Sequence, residues 1–334
     1  MFDQGAQPPI SFETLTAVLR GAAEPTRLRI LALLAEVELT VTDLTDILRQ
    51  SQPRISRHLK LLTEAGLVER FREGSWAFFR LPEDGAEIVR DIVGRLDPRD
   101  DVIARDHERL VAVRAARADA AQNYFQAHAG EWDRLRQLHV PDDAVEAAIA
   151  DALKDRPFRS LLDLGTGTGR ILEMFAPSIE RGTGLDMSLA MLSVARARLD
   201  AAGLRHCTVR QGDIYDLPMP KDSFDVVIIH QVLHYLDDAA GALREAARVL
   251  RPGGRMLVVD FAPHELEFLR EQHAHRRLGF SADTVTQWMS AAGLDVTLQR
   301  DLAPEASSDG KIAVSLWLGR DLRIALATQT KEVA

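Results

Sequence analysis

"LLDLGTGTGR", residues 161–170, sets an apolar run against three glycines and leads directly into "ILEMF". A strand-like run, a glycine turn and a helix-like stretch in that order have the form of a nucleotide-binding turn. Gly165, Gly167 and Gly169 stand in Gly-x-Gly-x-Gly spacing rather than the Gly-x-Gly-x-x-Gly of a dinucleotide fingerprint. One glycine turn is weak on its own, so the flanking chain decides its meaning. Downstream, "RGTGLD", "LAMLSVARARL", "CTVRQGD", "FDVVIIH", "AGALREAARVL" and "RMLVVDF" alternate strand-like and helix-like stretches. That alternation predicts a parallel sheet with helices on both faces. "LDVTLQRDLAP" and "KIAVSLWLGR" read as two more strands, an antiparallel edge hairpin.

Upstream the pattern changes. Residues 12–35 predict helix, with Leu15, Val18, Leu19, Leu28, Ile30, Leu31 and Leu34 as apolar positions and Pro25 breaking it in two. "TVTDLTDIL" (40–48) predicts a short helix. The next begins at Ser51 or Gln52, tolerates Pro53 in its first turn, and ends at Gly66. "LVERFREGSWAFFRL" places two β-rich runs around Glu73-Gly74, a hairpin signal. Helix, helix, turn, basic helix and hairpin is the order of a winged helix-turn-helix. Ile55, Leu59 and Leu62 would anchor the third helix. Gln52, Arg54, Ser56, Arg57, His58 and Lys60 are left for its outer face or edges, where base edges and phosphates are read. Arg72, near the hairpin tip, would reach the flanking DNA backbone or minor groove. Residues 97–130 predict one connecting helix.

Charge and composition bound the alternatives. The chain has 334 residues, a net charge of −9, and 46% apolar residues. Such a balance argues against coating nucleic acid through bulk charge, but not against a local basic face. Between 49 and 80, seven basic residues face three glutamates. No apolar run approaches the roughly 20 residues a membrane helix needs, and the N-terminus does not read as a signal peptide. A cytoplasmic protein is expected. The single cysteine, Cys207, excludes an internal disulfide and a thiolate-rich metal site, and no metal is expected.

Over roughly residues 12–96, "EPTRLRILALL" and "VTDLTDILRQSQPRISRHLKLLTEAGLVERFREGSWAFFRL" closely resemble the ArsR/SmtB family of winged-helix repressors. The resemblance implies a homodimer on a near-palindromic double-stranded operator, joined through the first helix and the helix after the wing. Metal sensing does not carry over. Thr40, Thr42 and Thr45 stand where arsenic sensors place cysteines, and a hydroxyl does not replace a soft thiolate. After the wing, Asp106 and His107 are adjacent and so lie on different helix faces.

Over roughly residues 120–320 the chain resembles class I S-adenosylmethionine (SAM) methyltransferases, with a Rossmann-like seven-stranded sheet. Asp163, Gly165, Thr166, Gly167 and Gly169 match motif I. Asp186 ends the next strand, 23 residues after Asp163, where a carboxylate accepts from both ribose hydroxyls. Met187 and Ile214 would sandwich the adenine, and Asp213 would accept from its amino group. "RVLRPGGRMLVVD" supplies the turn before the fifth strand. "YFQAHAGEWDRLR" (124–136) resembles the lead-in of ubiquinone-biosynthesis-type methyltransferases, with Tyr124 and Trp132 as lid residues or ordinary core.

Catalytic residues stay open, because methyl transfer depends heavily on positioning. His230, placed near the pocket mouth, and His234 are candidate bases; His264, His273 and His275 follow the fifth strand. The expected division is a DNA-binding domain at 1–96, a connecting and dimerisation helix at 97–130, a methyltransferase-like domain at 131–320 and a tail at 321–334. Two functions fit it. One is a DNA-binding regulator, a repressor, that senses SAM or S-adenosylhomocysteine (SAH). The other is a bifunctional protein that also methylates a small molecule.

Overall fold

A computed structural model describes residues 11–73, 76–82, 86–129, 142–302 and 312–323. The chain divides into two compact units, Met1–Ala118 and Asp119–Ala334.

The first unit opens with α1 (Phe12–Ala22) and α2 (Pro25–Leu34). They separate where expected. Pro25 occupies the first turn of α2, and the Glu24 carboxylate caps it by accepting from Arg27 N at 2.8 Å. α3 (Val41–Leu48) follows the short strand β1 (Leu39–Thr40). Thr40 and Asp43 exchange side-chain and backbone hydrogen bonds at its start, a capping box. The residue at this sensor-like position thus works as a helix cap. Arg49 turns left-handed (φ 54°) and starts the tight connection to α4 (Gln52–Glu64). Gly66, at φ 69°, ends α4. Its N–H bonds Thr63 O and that of Leu67 bonds Leu62 O, the two bonds of a Schellman stop. β2 (Glu69–Glu73) and β3 (Trp76–Arg80) form the wing, with β1 on the other side of β3. α5 (Ala86–Val93) is a helix that the residue pattern did not predict.

α6 (Asp101–His128) realises the predicted connecting helix but begins later than residue 97. The Asp100 carboxylate accepts from Val102 N at 2.9 Å and so marks the start. Side-chain hydrogen bonds at Asp106 and Arg109 tie α6 into the first unit. Asp106, 3% exposed, takes both ends of the Arg29 guanidinium at 2.6 Å each, and Arg109 donates to Ile47 O at 3.1 Å. Leu110 is buried in the same core as Ile30, Leu44, Ile55 and Leu59. Leu15 and Leu19 depart from the expectation: with Phe12 they form an exposed stripe on α1.

The second unit holds α7 (Asp142–Leu153), β4 (Ser160–Leu164), α8 (Arg170–Phe175), β5 (Arg181–Asp186), α9 (Leu189–Ala201), β6 (Cys207–Gln211) and β7 (Phe224–His230). α10 (Ala239–Val249), β8 (Leu250–Phe261), α11 (Phe268–His273), α12 (Ala282–Ala291), β9 (Leu294–Leu302) and β10 (Val314–Asp321) complete it. The seven strands lie in the order β6-β5-β4-β7-β8-β10-β9, parallel except for β10. The hairpin reading of β9 and β10 therefore holds, but β10 slots inside the sheet and, of the two, β9 alone lies at an edge. Every residue of β4 is buried. Leu161 enters the core shared with α7 and α8, whereas Leu162 and Leu164 enter the one shared with α10 and α12. Burial on both faces explains why "LLDL" reads as a continuous apolar run. β4 pairs with β5 on one side and β7 on the other, so the glycine turn leaves the sheet at its topological switch point.

Candidate functional site

The turn after β4 is left-handed at all three glycines: φ is 71° at Gly165, 52° at Gly167 and 84° at Gly169. Residues with a Cβ adopt this region at a cost of roughly 1–2 kcal/mol each. Space adds a second reason. A Cβ on Gly165 would sit 2.3 Å from Val232 Cγ2, and one on Gly169 3.2 Å from Ala195. These glycines let the loop pack onto its own protein, which the ligand-approach reading of the motif did not anticipate. The Gly165 and Thr166 amides donate to Leu185 O at 2.8 and 3.0 Å, which pins the loop across the end of β5.

Asp186 ends β5. Its Oδ2 accepts from Gly167 N and its Oδ1 from Ser188 N, each at 2.8 Å. Burial pushes its carboxyl above the ordinary range, while the N–H groups of Ser188, Gly167 and Met187 pull it back. An ionised carboxylate offers about four acceptor sites. The two backbone bonds leave each oxygen able to accept once more, which matches a ribose diol. Thr166 Oγ1 is buried with no hydrogen-bond partner among the described residues. Gly184 makes room for it, since a Cβ there would meet Thr166 Oγ1 at 2.6 Å. The orphaned hydroxyl and the diol-ready carboxylate flank one loop, and they fit an adenosyl cofactor. Asp163 is buried in β4, Ile214 is buried, and Met187 is 43% exposed. Asp213 is exposed and accepts from Tyr215 N at 2.9 Å, holding its own turn.

Beyond β7 and β8 lies a cluster of rings. His230 ends β7 and is buried. His234 is only 1% exposed, and its Nδ1 lies 2.7 Å from Oδ1 of Asp260, which is fully buried near the end of β8. Both histidines are buried, and His230 stands at the carboxyl end of its strand, as the sequence pattern placed it. The His234 ring packs against Tyr235 at 4.1 Å, His275 at 4.3 Å and Phe261 at 4.7 Å. Asp260 received no role from the sequence; its partner stands 26 residues earlier, so only the fold joins them. Burial lowers His264 to about 4 and keeps it neutral near pH 7. The end of α6 reaches the same cluster. Tyr124 Oη and His273 Nδ1 are 2.6 Å apart, and Phe125 packs edge-on to Tyr235 at 4.8 Å. Trp132 lies outside the described residues. Among the described residues no group of three or more histidine, cysteine, aspartate or glutamate side chains is arranged to hold a metal.

In the first unit Ile55, Leu59 and Leu62 are buried, so α4 turns the opposite face outward. Gln52, Arg54, Ser56, Arg57 and Lys60 are all exposed, as is Arg72 on β2. His58 departs from them. Its Nδ1 lies 3.5 Å from the Glu24 carboxylate, and burial lowers its pKa. It packs against the start of α2 rather than facing outward. Trp76, on β3 across from Glu73, is 40% exposed on the wing and was given no role by the sequence.

Comparison with known proteins agrees with both halves. Residues 24–70 match the family described as "Bacterial regulatory protein, arsR family", and residues 162–258 match "Methyltransferase domain". The "Uncharacterized methyltransferase YcgJ" of Bacillus subtilis is 36% identical over 106 residues, 31% of this chain and 42% of that protein. The "Ubiquinone/menaquinone biosynthesis C-methyltransferase UbiE" of Vibrio vulnificus is 38% identical over 111 residues, 32% of this chain and 43% of its own. The chain spans 38% to 52% of the length of the first curated relatives it matches. The crystal structure of YcgJ superposes with a TM-score of 0.44 at 24% identity, covering 53% of this chain and 97% of that one. No helix among the described residues is long and apolar enough to cross a membrane. The chain thus joins an arsR-family helix-turn-helix domain over residues 24–70 to a methyltransferase domain over residues 162–258.

Proposed function

We propose that this protein is a cytoplasmic DNA-binding regulator, a repressor, whose methyltransferase domain takes SAM or SAH and adjusts DNA affinity according to which is bound. Asp186 would hold the ribose, Met187 and Ile214 the adenine faces, and Asp213 the adenine amino group. The loop from Asp163 to Gly169, with Thr166, and His230 would complete the site. Gln52, Arg54, Ser56, Arg57, Lys60 and Arg72 would meet the operator, with His58 supporting α4 from behind. The division of labour is DNA binding over 1–96, connection over 97–130 and ligand binding over 131–320.

The observation that carries the reading is α6. One helix contributes Asp106 and Arg109 to bonds inside the DNA-binding unit, and Tyr124 and Phe125 to contacts inside the methyltransferase unit. A ligand shifts a conformational equilibrium only by its differential affinity for the two states. The exposed stripe Phe12, Leu15 and Leu19 on α1 supports a homodimer with a second copy covering it. Sedimentation of wild type against Leu15→Ser/Leu19→Ser tests that part, with a shift to monomer expected.

The main test is DNA titration at fixed salt, using a duplex selected in vitro by the protein, with no ligand, with SAM and with SAH. Unequal curves, separated by about 1–3 kcal/mol, are expected. Superimposable curves from protein that binds both ligands would sink the sensing role. The second reading, active methyl transfer, is favoured by the buried His234–Asp260 pair.

A further inference from the structure

The His234–Asp260 pair is expensive where it stands. Asp260 is fully buried, and its Oδ2 has no hydrogen-bond partner among the described residues. Its Oδ1 accepts from His234 Nδ1 at 2.7 Å and from Phe261 N at 2.8 Å. Burying a carboxylate away from water costs free energy that a few hydrogen bonds repay only in part. Stability is therefore a poor reason to keep this one. Its position supplies another. β7 and β8 are adjacent parallel strands, and the pair sits at their carboxyl ends, where open α/β sheets bind ligands. Val232, two residues before His234, is the side chain that packs on Gly165 of the glycine turn.

The chemistry of the pair is directional. An ionised carboxylate only accepts, so Asp260 fixes the proton on Nδ1 and leaves the lone pair of His234 on Nε2. An imidazole in that tautomer is a general base. The rings of Tyr235, His275 and Phe261 pack directly against that imidazole. A neutral imidazole is best matched to an acceptor whose own acidity lies near neutral.

We propose that His234 is the proton acceptor of a methyl transfer to a ring hydroxyl, so that the acceptor of this domain is a phenol or a comparably acidic ring alcohol and the product is its methyl ether. The inference rests on the reading that the domain is an active methyltransferase. When bound, the cofactor supplies a methyl sulfonium. The phenol proton passes to His234 Nε2, the phenol oxygen forms the new O–CH3 bond, and the S–CH3 bond breaks with its electron pair going to sulfur. Products are the methyl ether, SAH and one proton, which His234 releases to water. Asp260 touches no reacting atom; it is a positioning residue acting through the imidazole.

The test uses the full chain with 4-nitrophenol, whose ionised form is coloured and whose methyl ether is not. The protein is first saturated with SAH, so no transfer occurs, at a pH where the free probe is mostly protonated. Binding is expected to raise the phenolate band. His234→Gln and Asp260→Asn should abolish that rise while SAH affinity stays within twofold. With SAM in place of SAH the colour should fade as the ether forms, and His234→Gln should slow that fading by about a hundred- to ten-thousand-fold. The groups facing His234 are Asp260, Tyr235, His264 and His275, so the band is followed against pH in His264→Gln and His275→Gln as well. The midpoint should persist in His264→Gln and His275→Gln and vanish only with loss of His234 or of Asp260, which orients it. An unchanged band and rate in a His234→Gln protein that binds SAH would overturn the proposal, as would SAH-loaded wild type that does not bind the probe. Absence of SAH binding by wild type would instead refute the underlying cofactor reading. Nitrogen-15 NMR of the wild type covers the case of variants that do not fold. A proton on Nδ1 of His234 is expected, and a proton on Nε2 of the neutral ring would exclude it as the base.

Discussion

Replacing Gly165 with alanine tests why the turn needs glycine. The substitution forces a Cβ into φ 71°, at about 1–2 kcal/mol. It also drives that Cβ to 2.3 Å from Val232 Cγ2 and 3.0 Å from Cγ1. Overpacking of a filled site costs about 1–3 kcal/mol. The expected loss is therefore about 2–5 kcal/mol. The two parts separate in a double-mutant cycle. Val232→Ala removes both offending methyls and leaves only its own Cβ, 3.3 Å away. In that background Gly165→Ala should cost only the backbone part, which gives a coupling of about 1–3 kcal/mol. Urea unfolding by tryptophan fluorescence reads it, since Trp288 and Trp317 both belong to the second unit. The transition to fit is the one that SAH moves to higher urea, because a chain of two units need not unfold in one step. If the two substitutions add to within about 0.5 kcal/mol, Val232 is not the constraint, and close approach of a ligand regains its place as the reason for the glycine.

Arg57→Ala should weaken operator binding by about 1–3 kcal/mol if Arg57 reads a base, or lower the salt slope by about one if it meets phosphate; a titration at several salt concentrations separates them. His58→Ala should instead lower the stability of the first unit with little change in salt slope, because His58 faces Glu24; a reduced slope would return it to the interface. Asp106→Asn breaks a bidentate pair to Arg29 and should cost about 3 kcal/mol of stability in the first unit, read by thermal unfolding. SAH affinity should fall as the pH is lowered from neutral into the acid range, because the ribose diol would donate to ionised Asp186 and burial raises the pH at which that carboxylate is lost. The folding linkage has the opposite sign. A carboxyl raised in the folded state contributes stability below its unfolded pKa, and loses it as pH rises through the folded value. A calorimetric affinity that stays flat over that range would remove Asp186 from ribose binding.

What the sequence made legible is what local pattern controls. β4 reads as buried because both faces are covered, and Pro25, Pro53, Gly66 and the three loop glycines act through their own backbone angles. Hence the helix-turn-helix and the glycine turn stand out in the order of residues alone. α5 and α12 do not. Each is a short helix behind weak signals, although Ser281 caps α12 by accepting from Thr284 N at 3.2 Å and Gly293 follows its end. Tertiary choices are hidden. The direction of His58 depends on Glu24, the room for Thr166 on Gly184, and the partner of His234 on a strand 26 residues away. Periodicity places Leu15 and Leu19 inward, but an apolar stripe at helical spacing says only that something covers it. It does not say whether the cover belongs to the same chain.

The sensing and catalytic readings make different demands on the same contacts. SAM and SAH differ by one methyl and one positive charge, so a sensor must turn that small difference into unequal affinity for two states. In the proposed site the Asp186 carboxylate would grip the part common to both ligands, and it could not discriminate between them. Discrimination must arise where the methyl sulfonium would lie, and the ring cluster around His234 stands at the strand ends beside that loop. Tyr124 and Phe125 of α6 contact that cluster through His273 and Tyr235. An acceptor held there would press on the same side chains. The two proposed functions therefore need not compete: turnover would convert SAM to SAH, and the residues that would feel the change belong to the helix that also bonds Arg29. Tyr124→Phe separates them. It removes the hydroxyl that meets His273 at 2.6 Å while keeping the ring. SAH affinity and 4-nitrophenol ionisation should survive, and the difference between SAM and SAH in the DNA titration should shrink. A Tyr124→Phe protein with wild-type coupling would show that α6 does not carry the signal through this contact.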